Sequence, residues 1–411
     1  MNMLSATNST AEAKTTPQAN GGAEFPFQNY GRGTLADLCG DLVLYRSLEP
    51  LDTRLPKIRR ALYETGLAGD LRPRKQDREY ARIALFYAEA ARRLAGREEP
   101  LQELLFVGDT LYNDGGAFLN MIAESDLRGA CFIGVEEPTE EPAHSLNDGI
   151  YMANRWVSIA DWAASLRADG FQLGENTVVI MDIDKTALGP KGRNDKVIDQ
   201  ARIQGAYKTM TALLGKELDK ESFINIYQEI NQAKYHAVTK DNQDYLAYIC
   251  LVITSGMLTM DELEKEVLDG SLTSFDQFTR LVDMRMLLNA GGGEGLRQAH
   301  DAVVMSVRNG DPTPFKRFRR QEFVETVGRM GCMEDDAPVA DMLAQEITLT
   351  EEVYALAEWL RGRGCIVMCL SDKPDEASIP DPRHETDLPP IHKAETHRVG
   401  VDIRPALAVI A

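Results

Sequence analysis

Residues 178–186 read VVIMDIDKT, and this stretch decides how the rest of the chain is interpreted. Its first four residues are apolar, mostly β-branched and without polar alternation, which is typical of a strand buried on both faces of a parallel sheet. Two aspartates, Asp182 and Asp184, follow directly. Because open α/β sheets bind ligands at the carboxyl ends of their strands, both carboxylates are candidate functional groups.

The two aspartates favour a site for a hard divalent cation. Unpaired charge at the edge of an apolar core is costly, and Mg²⁺ takes oxygen ligands, few of them from protein. The structural alternative is that Asp184 caps a following helix and Asp182 faces solvent. Other strand ends are needed to distinguish the two.

Two further apolar runs also end in polar residues. Residues 104–107 (LLFV) lead to a Gly-Asp pair at Asp109, with Asp114 five positions later. Residues 365–370 (CIVMCL) lead to Ser371. If these strands neighbour the first one in a parallel sheet, their carboxyl ends share one crevice.

A lysine joins this set of polar groups. Lys75 stands just before a helix predicted over residues 77–94, whose apolar residues fill one face and which leads into the strand that ends near Asp109. The crevice would then hold two carboxylates, further acids for a metal, a hydroxyl and an ammonium. This set suits phosphoryl transfer through an aspartyl-phosphate, since Mg²⁺ and lysine neutralise the transferring group. An acid two residues past the nucleophile can protonate the leaving oxygen and then deprotonate water.

These motifs resemble those of the haloacid dehalogenase-like (HAD) phosphatase superfamily. The first motif, DxDxT, is matched by residues 182–186, and the fourth, GDxxxxD, by residues 108–114. The second motif, a Ser or Thr that ends a strand, is matched by Ser371. The third, a lysine near the start of the helix before the fourth motif, is matched by Lys75.

The resemblance implies a role for each matched residue. Asp182 would be the nucleophile and Asp184 the general acid/base, with Thr186 completing the catalytic motif. Ser371 and Lys75 would hold the phosphoryl group. The second acid at Asp184 favours phosphate chemistry over dehalogenation, because the dehalogenase branch lacks it.

The same resemblance implies Mg²⁺ as the cofactor. The ion would lie on Asp182, on the backbone carbonyl of Asp184 and on Asp109, with or without Asp114. Asn113, one position earlier, is the alternative to Asp114.

The order of the motifs departs from the family pattern. Here the third and fourth motifs precede the first and second, as a circular permutation would arrange them. Such a change is tolerated when the ends of a domain lie close together. Lys393 stands where the usual order would place the lysine, and Lys373 is a third candidate. Lys75 is preferred because a strong helix and then Asp109 follow it.

The chain divides into a core and an insert. Residues 1–25 are polar and predicted to be disordered. Residues 26–188 and 349–411 are predicted to form a Rossmann-like, doubly wound parallel α/β core of the HAD type. Residues 189–348 have helical patterns and almost no strand candidates, so we expect an all-helical cap domain. It lies between the first and second motifs, where this superfamily places a cap that closes over the substrate.

Three local features give further expectations. Residues 314–320 are basic in an acidic protein and form either a solvated helix face or a cap surface that attracts an anionic substrate. Thr350 is expected to cap a helix over residues 351–362. A short edge strand is expected near residues 398–403.

Composition limits the possible partners. The net charge of −19 over 411 residues disfavours binding to nucleic acid or to an acidic membrane. It still allows a small phosphorylated metabolite, because a local basic patch can override the mean. Six cysteines without a CxxC pair fit a reducing cytoplasm. We see neither a signal peptide nor a stretch apolar enough to cross a bilayer, and the sequence leaves the oligomeric state open.

The sequence therefore predicts a Mg²⁺-dependent phosphomonoester hydrolase that forms an aspartyl-phosphate on Asp182. The alternative is a catalytically silent protein that keeps the HAD-like fold and uses its helical insert to recognise partners. The intact pair Asp182 and Asp184 favours the enzyme.

Overall fold

The computed structural model describes residues 26–69, 71–288, 293–383 and 386–410, in which the chain forms ten strands and sixteen α-helices. The predicted disordered tail, residues 1–25, lies outside the described residues.

Strands and helices are numbered separately, each in chain order. The strands are β1 (Gln28–Gly33), β2 (Val43–Leu44), β3 (Glu103–Gly108), β4 (Arg128–Gly134), β5 (His144–Asn147), β6 (Ile150–Ala153), β7 (Thr177–Asp182), β8 (Leu349–Thr350), β9 (Ile366–Leu370) and β10 (Thr396–Gly400). The helices are α1 (Ala36–Cys39), α2 (Ile58–Glu64), α3 (Arg78–Leu94), α4 (Gly116–Ala123), α5 (Ile159–Ala168), α6 (Asp195–Leu214), α7 (Lys220–Ile230), α8 (His236–Thr239), α9 (Gln243–Thr254), α10 (Met260–Leu268), α11 (Phe275–Leu287), α12 (Gly293–Arg308), α13 (Lys316–Val327), α14 (Val339–Gln345), α15 (Glu351–Gly362) and α16 (Arg404–Ala408).

Seven strands form the main sheet, in the order β2-β9-β7-β3-β4-β6-β5. Each neighbouring pair from β2 to β6 is parallel, and β5 is antiparallel at the edge. The prediction of an α/β fold on a mostly parallel, Rossmann-like sheet is confirmed.

The central strands are buried on both faces, as their unbroken apolar runs predicted. In β7, Val178 and Ile180 face one hydrophobic core, whereas Val179 and Met181 face the other. Helices α2, α3 and α4 cover the first face, and α1, α5 and α15 cover the second. This two-residue alternation places apolar side chains in both layers, so a charge on these strands is accommodated only at their ends.

A smaller sheet brings the two ends of the described chain together. It has the order β1-β10-β8, with β10 antiparallel to β1 and parallel to β8. Gln28 pairs with Gly400 in this sheet. A strand is present close to the predicted position, residues 398–403, but β10 starts earlier, at Thr396. The expectation that it lies at an edge is wrong, because β10 is the central strand of this sheet.

Residues 195–345, from α6 to α14, form what we call the helical segment. No strand occurs in its described parts, residues 195–288 and 293–345. The segment has a hydrophobic core of its own, formed from side chains between residues 206 and 318. Its first and last long helices, α6 and α13, also pack against each other. Gly205 permits this contact, since a Cβ there would lie 2.8 Å from the Cα of Glu322.

Thr350 is the N-cap residue of α15, as predicted, but its side chain makes no capping hydrogen bond. The Thr350 hydroxyl instead donates to the backbone carbonyl of Thr186. It thereby ties β8 to the loop that follows β7.

A helix that crosses a membrane must be both long and apolar. Within the described part of the chain, no helix meets both conditions.

Candidate active site

The three strands that end in polar residues are neighbours in the main sheet. Asp182, the last residue of β7, lies opposite Leu370 of β9, and Ser371 follows at once. On the other side, β3 ends at Gly108 and Asp109 follows. The expected shared crevice therefore exists at the carboxyl edge of β9, β7 and β3.

A tight turn after β7 fixes the position of Asp184. Leu188 donates its backbone N–H to Ile183 at 2.9 Å, and Lys185 takes the left-handed conformation with a φ of 65°. The alternative in which Asp184 caps a helix is wrong, because the next helix, α6, has Asn194 at its N-cap. Asp182 does not face solvent either, since only 6% of its surface is exposed.

A buried lysine connects the acids. The Nζ of Lys75 lies 2.6 Å from the Oδ1 of Asp114 and 2.6 Å from the Oδ1 of Asp182. All three side chains are buried. Of the three lysines that the sequence left open, Lys75 is the one that contacts the predicted nucleophile.

Asp114 is held in place by the turn that follows β3. Its Oδ2 accepts hydrogen bonds from the backbone N–H groups of Asp109 and Thr110, each at 3.0 Å, and from the Thr110 hydroxyl at 3.1 Å. A Cβ at Gly108 would lie 2.4 Å from the Cβ of Asp114. The glycine of the GDxxxxD pattern is therefore required by the close approach of its last aspartate.

Burial and mutual repulsion change the proton affinities of this cluster. Burial raises the pKa of Asp182 well above its usual range, and Asp114 and Asp109 add to the rise while Lys75 opposes it. Burial, with Asp114, also raises the pKa of Asp109 to about 6. Burial disfavours the charge on Lys75 too, but Asp114 and Asp182 outweigh it and raise the pKa of that ammonium. The cluster thus contains more negative charge than its lysines neutralise.

The acids fit a divalent metal ion. One carboxylate oxygen from each of Asp109, Asp114 and Asp182 lies within 4.8 Å of the others. Lys75 and Lys191 are the ammonium groups that contact the cluster, the latter 3.2 Å from the Oδ2 of Asp109. When all three carboxylates are ionised, their charge exceeds that of the two ammonium groups by one, and an all-oxygen set suits Mg²⁺.

Asn113 and Asp114 differ in where their side chains lie. Asp114 is buried within the acid cluster, whereas Asn113 is exposed and its side-chain oxygen accepts from Gln76. The Oδ2 of Asp114 already accepts three hydrogen bonds. The carboxylate of Asp109 is therefore more available as a ligand for a metal ion.

Lys373 stands on the opposite side of the crevice. Its Nζ lies 3.0 Å from the Oδ2 of Asp184 and 3.4 Å from the Oε1 of Glu322, which belongs to α13. Its backbone N–H donates to the Oγ of Ser371 at 3.1 Å. Lys393, in contrast, directs its Nζ to Asp41 at 2.6 Å and is not part of this group.

Glu322, in the helical segment, contacts three cations, two from that segment and one from the loop after β9. Arg202 of α6 approaches its Oε1 at 3.1 Å, and Arg319 of α13 approaches its Oε2 at 2.6 Å, in addition to the contact with Lys373. Burial opposes the charge on Glu322, but Lys373 and the two arginines hold its pKa far below the usual range. Asp244 of α9 is the second partner of Arg319, at 2.7 Å.

The basic stretch at residues 314–320 is not simply a solvated helix face. Phe318 and Arg319 are buried, and Arg319 points its guanidinium into the ion-pair network around Glu322. Lys316 pairs with Asp311 at 3.0 Å. The pattern of charges was visible in the sequence, but its carboxylate partners were not.

One cavity of about 350 Å³ collects these groups. Its lining includes Lys75, Asp109, Asp114, Asp182, Asp184, Ser371 and Lys373, together with Arg202, Arg319 and Glu322 from the helical segment. Thr186 is not part of that lining, and its buried hydroxyl has no hydrogen-bond partner among the described residues. Of the predicted catalytic residues, Thr186 alone is thus set apart from the cavity.

The sequence interpretation missed Arg202 and Glu322. They lie 120 positions apart and belong to two different helices. No spacing in the sequence relates them to each other or to Asp184.

The chain matches no family model, no curated protein and no solved structure. The protein is therefore classified by its fold and its site alone. It is an α/β protein with a Rossmann-like sheet, in which two adjacent strand ends place an acid cluster around a buried lysine and a third places Ser371 beside it.

Proposed function

We propose that this protein is a Mg²⁺-dependent phosphomonoester hydrolase of the HAD-like type, with Asp182 as the nucleophile. The observation that carries the proposal is the convergence of Asp182, Asp109, Ser371 and Lys75 on one cavity of about 350 Å³. These groups come from four separate parts of the chain. They supply the functions that transfer of a phosphoryl group to a carboxylate requires.

In the first step, a carboxylate oxygen of Asp182 attacks phosphorus and the bond from phosphorus to the ester oxygen breaks. Asp184, in its protonated form, gives its proton to the departing oxygen, so that an alcohol leaves. Ser371 donates its hydroxyl hydrogen to a phosphoryl oxygen, and Lys75 neutralises charge beside the nucleophile.

In the second step, water attacks phosphorus of the aspartyl-phosphate. Asp184, now a carboxylate, accepts a proton from that water. The bond between phosphorus and the Asp182 oxygen breaks, which releases inorganic phosphate and restores both carboxyl groups.

Mg²⁺ would be held by Asp182 and Asp109, with Asp114 beside them and the backbone carbonyl of Asp184 as a further oxygen ligand. When bound, it supplies positive charge that favours the ionised form of Asp182 and neutralises the phosphoryl oxygens. Burial and the neighbouring acids raise the pKa of Asp182, so the positive charge of the ion would be needed to keep this carboxylate in the ionised form in which it attacks.

The proposal includes a circular permutation of the superfamily order. Support comes from the small sheet, where β1 near the start of the described chain pairs with β10 near its end. Connecting these two ends would place Lys75 and Asp109 after Ser371, which is the usual order. The strands that carry the first, second and fourth motifs would remain neighbours.

We further propose that the helical segment acts as the cap of this enzyme. Its residues Arg202, Arg319 and Glu322 line the same cavity as Asp182. The ion pair between Glu322 and Lys373 links it to the loop after β9. A segment in this place would close over the substrate and exclude water.

The test compares wild-type protein with Asp182→Asn on p-nitrophenyl phosphate in the presence of Mg²⁺. We expect phosphate release by the wild type and none by the variant. Acid quenching followed by peptide mass spectrometry should locate a phosphoryl group on the peptide that contains Asp182. Asp126→Asn, which changes an aspartate away from the cavity, is the matched control.

Two results would contradict the proposal. Phosphate release that survives Asp182→Asn would exclude this nucleophile. Absence of turnover on a broad panel of phosphate esters, by protein that folds correctly, would favour the silent binding protein.

A further inference from the structure

The cavity at Asp182 is the inner end of a longer trench. A middle cavity of about 140 Å³ shares Arg319 and Asp372 with the inner one. An outer cavity of about 560 Å³ shares Arg46 and Thr313 with the middle one. These three adjoining cavities form the trench, which runs between the strand-end loops and the helical segment. Together they offer more room than a small phosphate ester needs.

Most acids along the outer trench are already engaged. Asp372 pairs with Arg46 at 2.9 Å. Asp311 and Glu376 both pair with Lys316, at 3.0 and 2.7 Å. Each of these carboxylates therefore already contacts a cation of the protein.

Two further acids have partners, one a hydroxyl group and the other an arginine. Asp375 accepts the Ser47 hydroxyl at 2.6 Å, and Asp244 holds Arg319. Among the described residues that line the middle and outer cavities, Asp241 is the one acid whose carboxylate has no partner, and it is exposed.

Two guanidinium groups in the trench remain without a carboxylate. Arg74 lines the middle cavity and Arg72 the outer one. Neither guanidinium contacts an acid among the described residues, and the Nη1 of Arg72 donates only to the backbone carbonyl of Leu71, at 2.9 Å. These two guanidinium groups are therefore available to pair with an anionic ligand, although the whole protein carries −19.

The local sequence explains why the arginines and the lysine reach different places. Residues 72–75 read RPRK, and exposure alternates along them: Arg72 and Arg74 are exposed, whereas Pro73 and Lys75 are buried. In an extended chain, residues two apart face the same side. Lys75 thus enters the acid cluster while both arginines line the trench.

We infer that the substrate is an extended phosphate ester with a second phosphate group remote from the scissile one. The scissile phosphate lies at Asp182, and the second phosphate is bound by Arg72 and Arg74. This inference rests on the proposed phosphatase function and adds the class of substrate. Arginine suits the role because its fork of N–H donors matches phosphate oxygens.

The test uses α,ω-alkanediol bisphosphates of increasing length and alkyl monophosphates of the same carbon count. We expect KM to fall about tenfold for a bisphosphate that spans the trench, relative to its matched monophosphate, as a charge-assisted contact implies. In Arg72→Gln and in Arg74→Gln, the kcat/KM for the bisphosphate divided by that for its matched monophosphate should move towards one. Arg59→Gln, which changes an exposed arginine away from the trench, should keep the wild-type ratio.

The possible results are distinguishable. If wild-type protein hydrolyses neither series, the phosphatase proposal fails. If it hydrolyses both series with equal kcat/KM at every length, the phosphatase proposal stands and the second phosphate site is refuted. If the arginine variants lose both activities equally, their role is structural and the inference is again refuted.

Discussion

Replacing Gly108 by alanine should damage both the stability and the site of this protein. The new Cβ would lie 2.4 Å from the Cβ of Asp114 and 2.5 Å from its Cγ. Carbon atoms in proteins do not approach so closely, so the turn between Gly108 and Asp114 must move. Both residues lie against the buried end of β3, where little space exists for the shift.

The expected cost comes from two sources. Overpacking of a buried position costs about 1–3 kcal/mol. If Asp114 is displaced, it also loses three hydrogen bonds to its Oδ2 and its 2.6 Å contact with Lys75. Breaking a buried ion pair costs about 3–5 kcal/mol when no relaxation occurs. Because Lys75 keeps its contact with Asp182, we take the lower end of both ranges and expect a total loss of about 4 kcal/mol in the free energy of unfolding.

Urea unfolding, followed by circular dichroism, measures this loss. Gly116→Ala is the matched control, because Gly116 has helical backbone angles and a Cβ there meets nothing within 4 Å. That control should be stabilised by about 0.5–1 kcal/mol, since alanine reduces the entropy of the unfolded chain. The two substitutions are chemically identical and should shift the midpoint in opposite directions.

A double-mutant cycle tests the steric cause directly. In an Asp114→Gly background the clashing Cβ is absent, so Gly108→Ala should cost less than about 1 kcal/mol, close to what an ordinary surface substitution costs. An unchanged penalty in that background would refute the steric argument. Equal midpoints for Gly108→Ala and Gly116→Ala would refute it as well.

Three other substitutions give independent checks. Glu322→Gln leaves three cations without their shared carboxylate, so the free energy of unfolding, measured with urea, should fall by about 3–5 kcal/mol. The control is Glu325→Gln, whose partner Lys208 is half exposed; it should change the same free energy by less than about 1 kcal/mol. Lys75→Met leaves its two buried acids facing each other, so its melting temperature should fall and should partly recover as Mg²⁺ is added. Burial lowers the pKa of His392 below its ordinary 6.5. The stability that the neutral imidazole contributes is therefore complete above that pH and is lost as the pH falls. In His392→Gln, the urea midpoint should decline less steeply below about pH 6.5 than in the wild type.

The main sheet was predictable because its strands are buried on both faces. The unbroken apolar runs at residues 104–107, 178–181 and 365–370 cannot be mistaken for half-exposed strands. Their polar ends marked the edge at which a site forms. In contrast, β1 reads QNYGRG, and nothing in that composition predicts a strand or its pairing with β10.

The acid cluster was predictable, but the network across the cavity from it was not. Motif order left three lysines as candidates for the residue that holds the phosphoryl group. Position in the sequence does not determine where the end of a long side chain lies. Glu322 collects Arg202, Arg319 and Lys373 from positions up to 120 residues away. Such contacts depend on how α6 and α13 pack, which periodicity alone does not define.

The proposed permutation leads to a prediction about the chain itself. Gln28 pairs with Gly400, so a flexible Gly/Ser linker of about 15 residues, with a root-mean-square reach of roughly 20 Å, should connect residue 410 to residue 26. New ends can be opened between residues 140 and 141, in an exposed loop between β4 and β5. The new chain then presents the first, second, third and fourth motifs in their usual order.

We expect this permutant to fold, because every hydrogen-bonded strand pair of the main sheet is kept and exposed loops tolerate new ends. Its circular dichroism spectrum should match that of residues 26–410 in native order, with a urea midpoint slightly lower. A second permutant, opened between Leu105 and Phe106 inside β3, should not fold, since that strand is buried and paired on both sides. If the first permutant also fails while the native-order chain of the same residues folds, then the order of the motifs is required for folding. A simple permutation of the superfamily core would then be the wrong account of this protein.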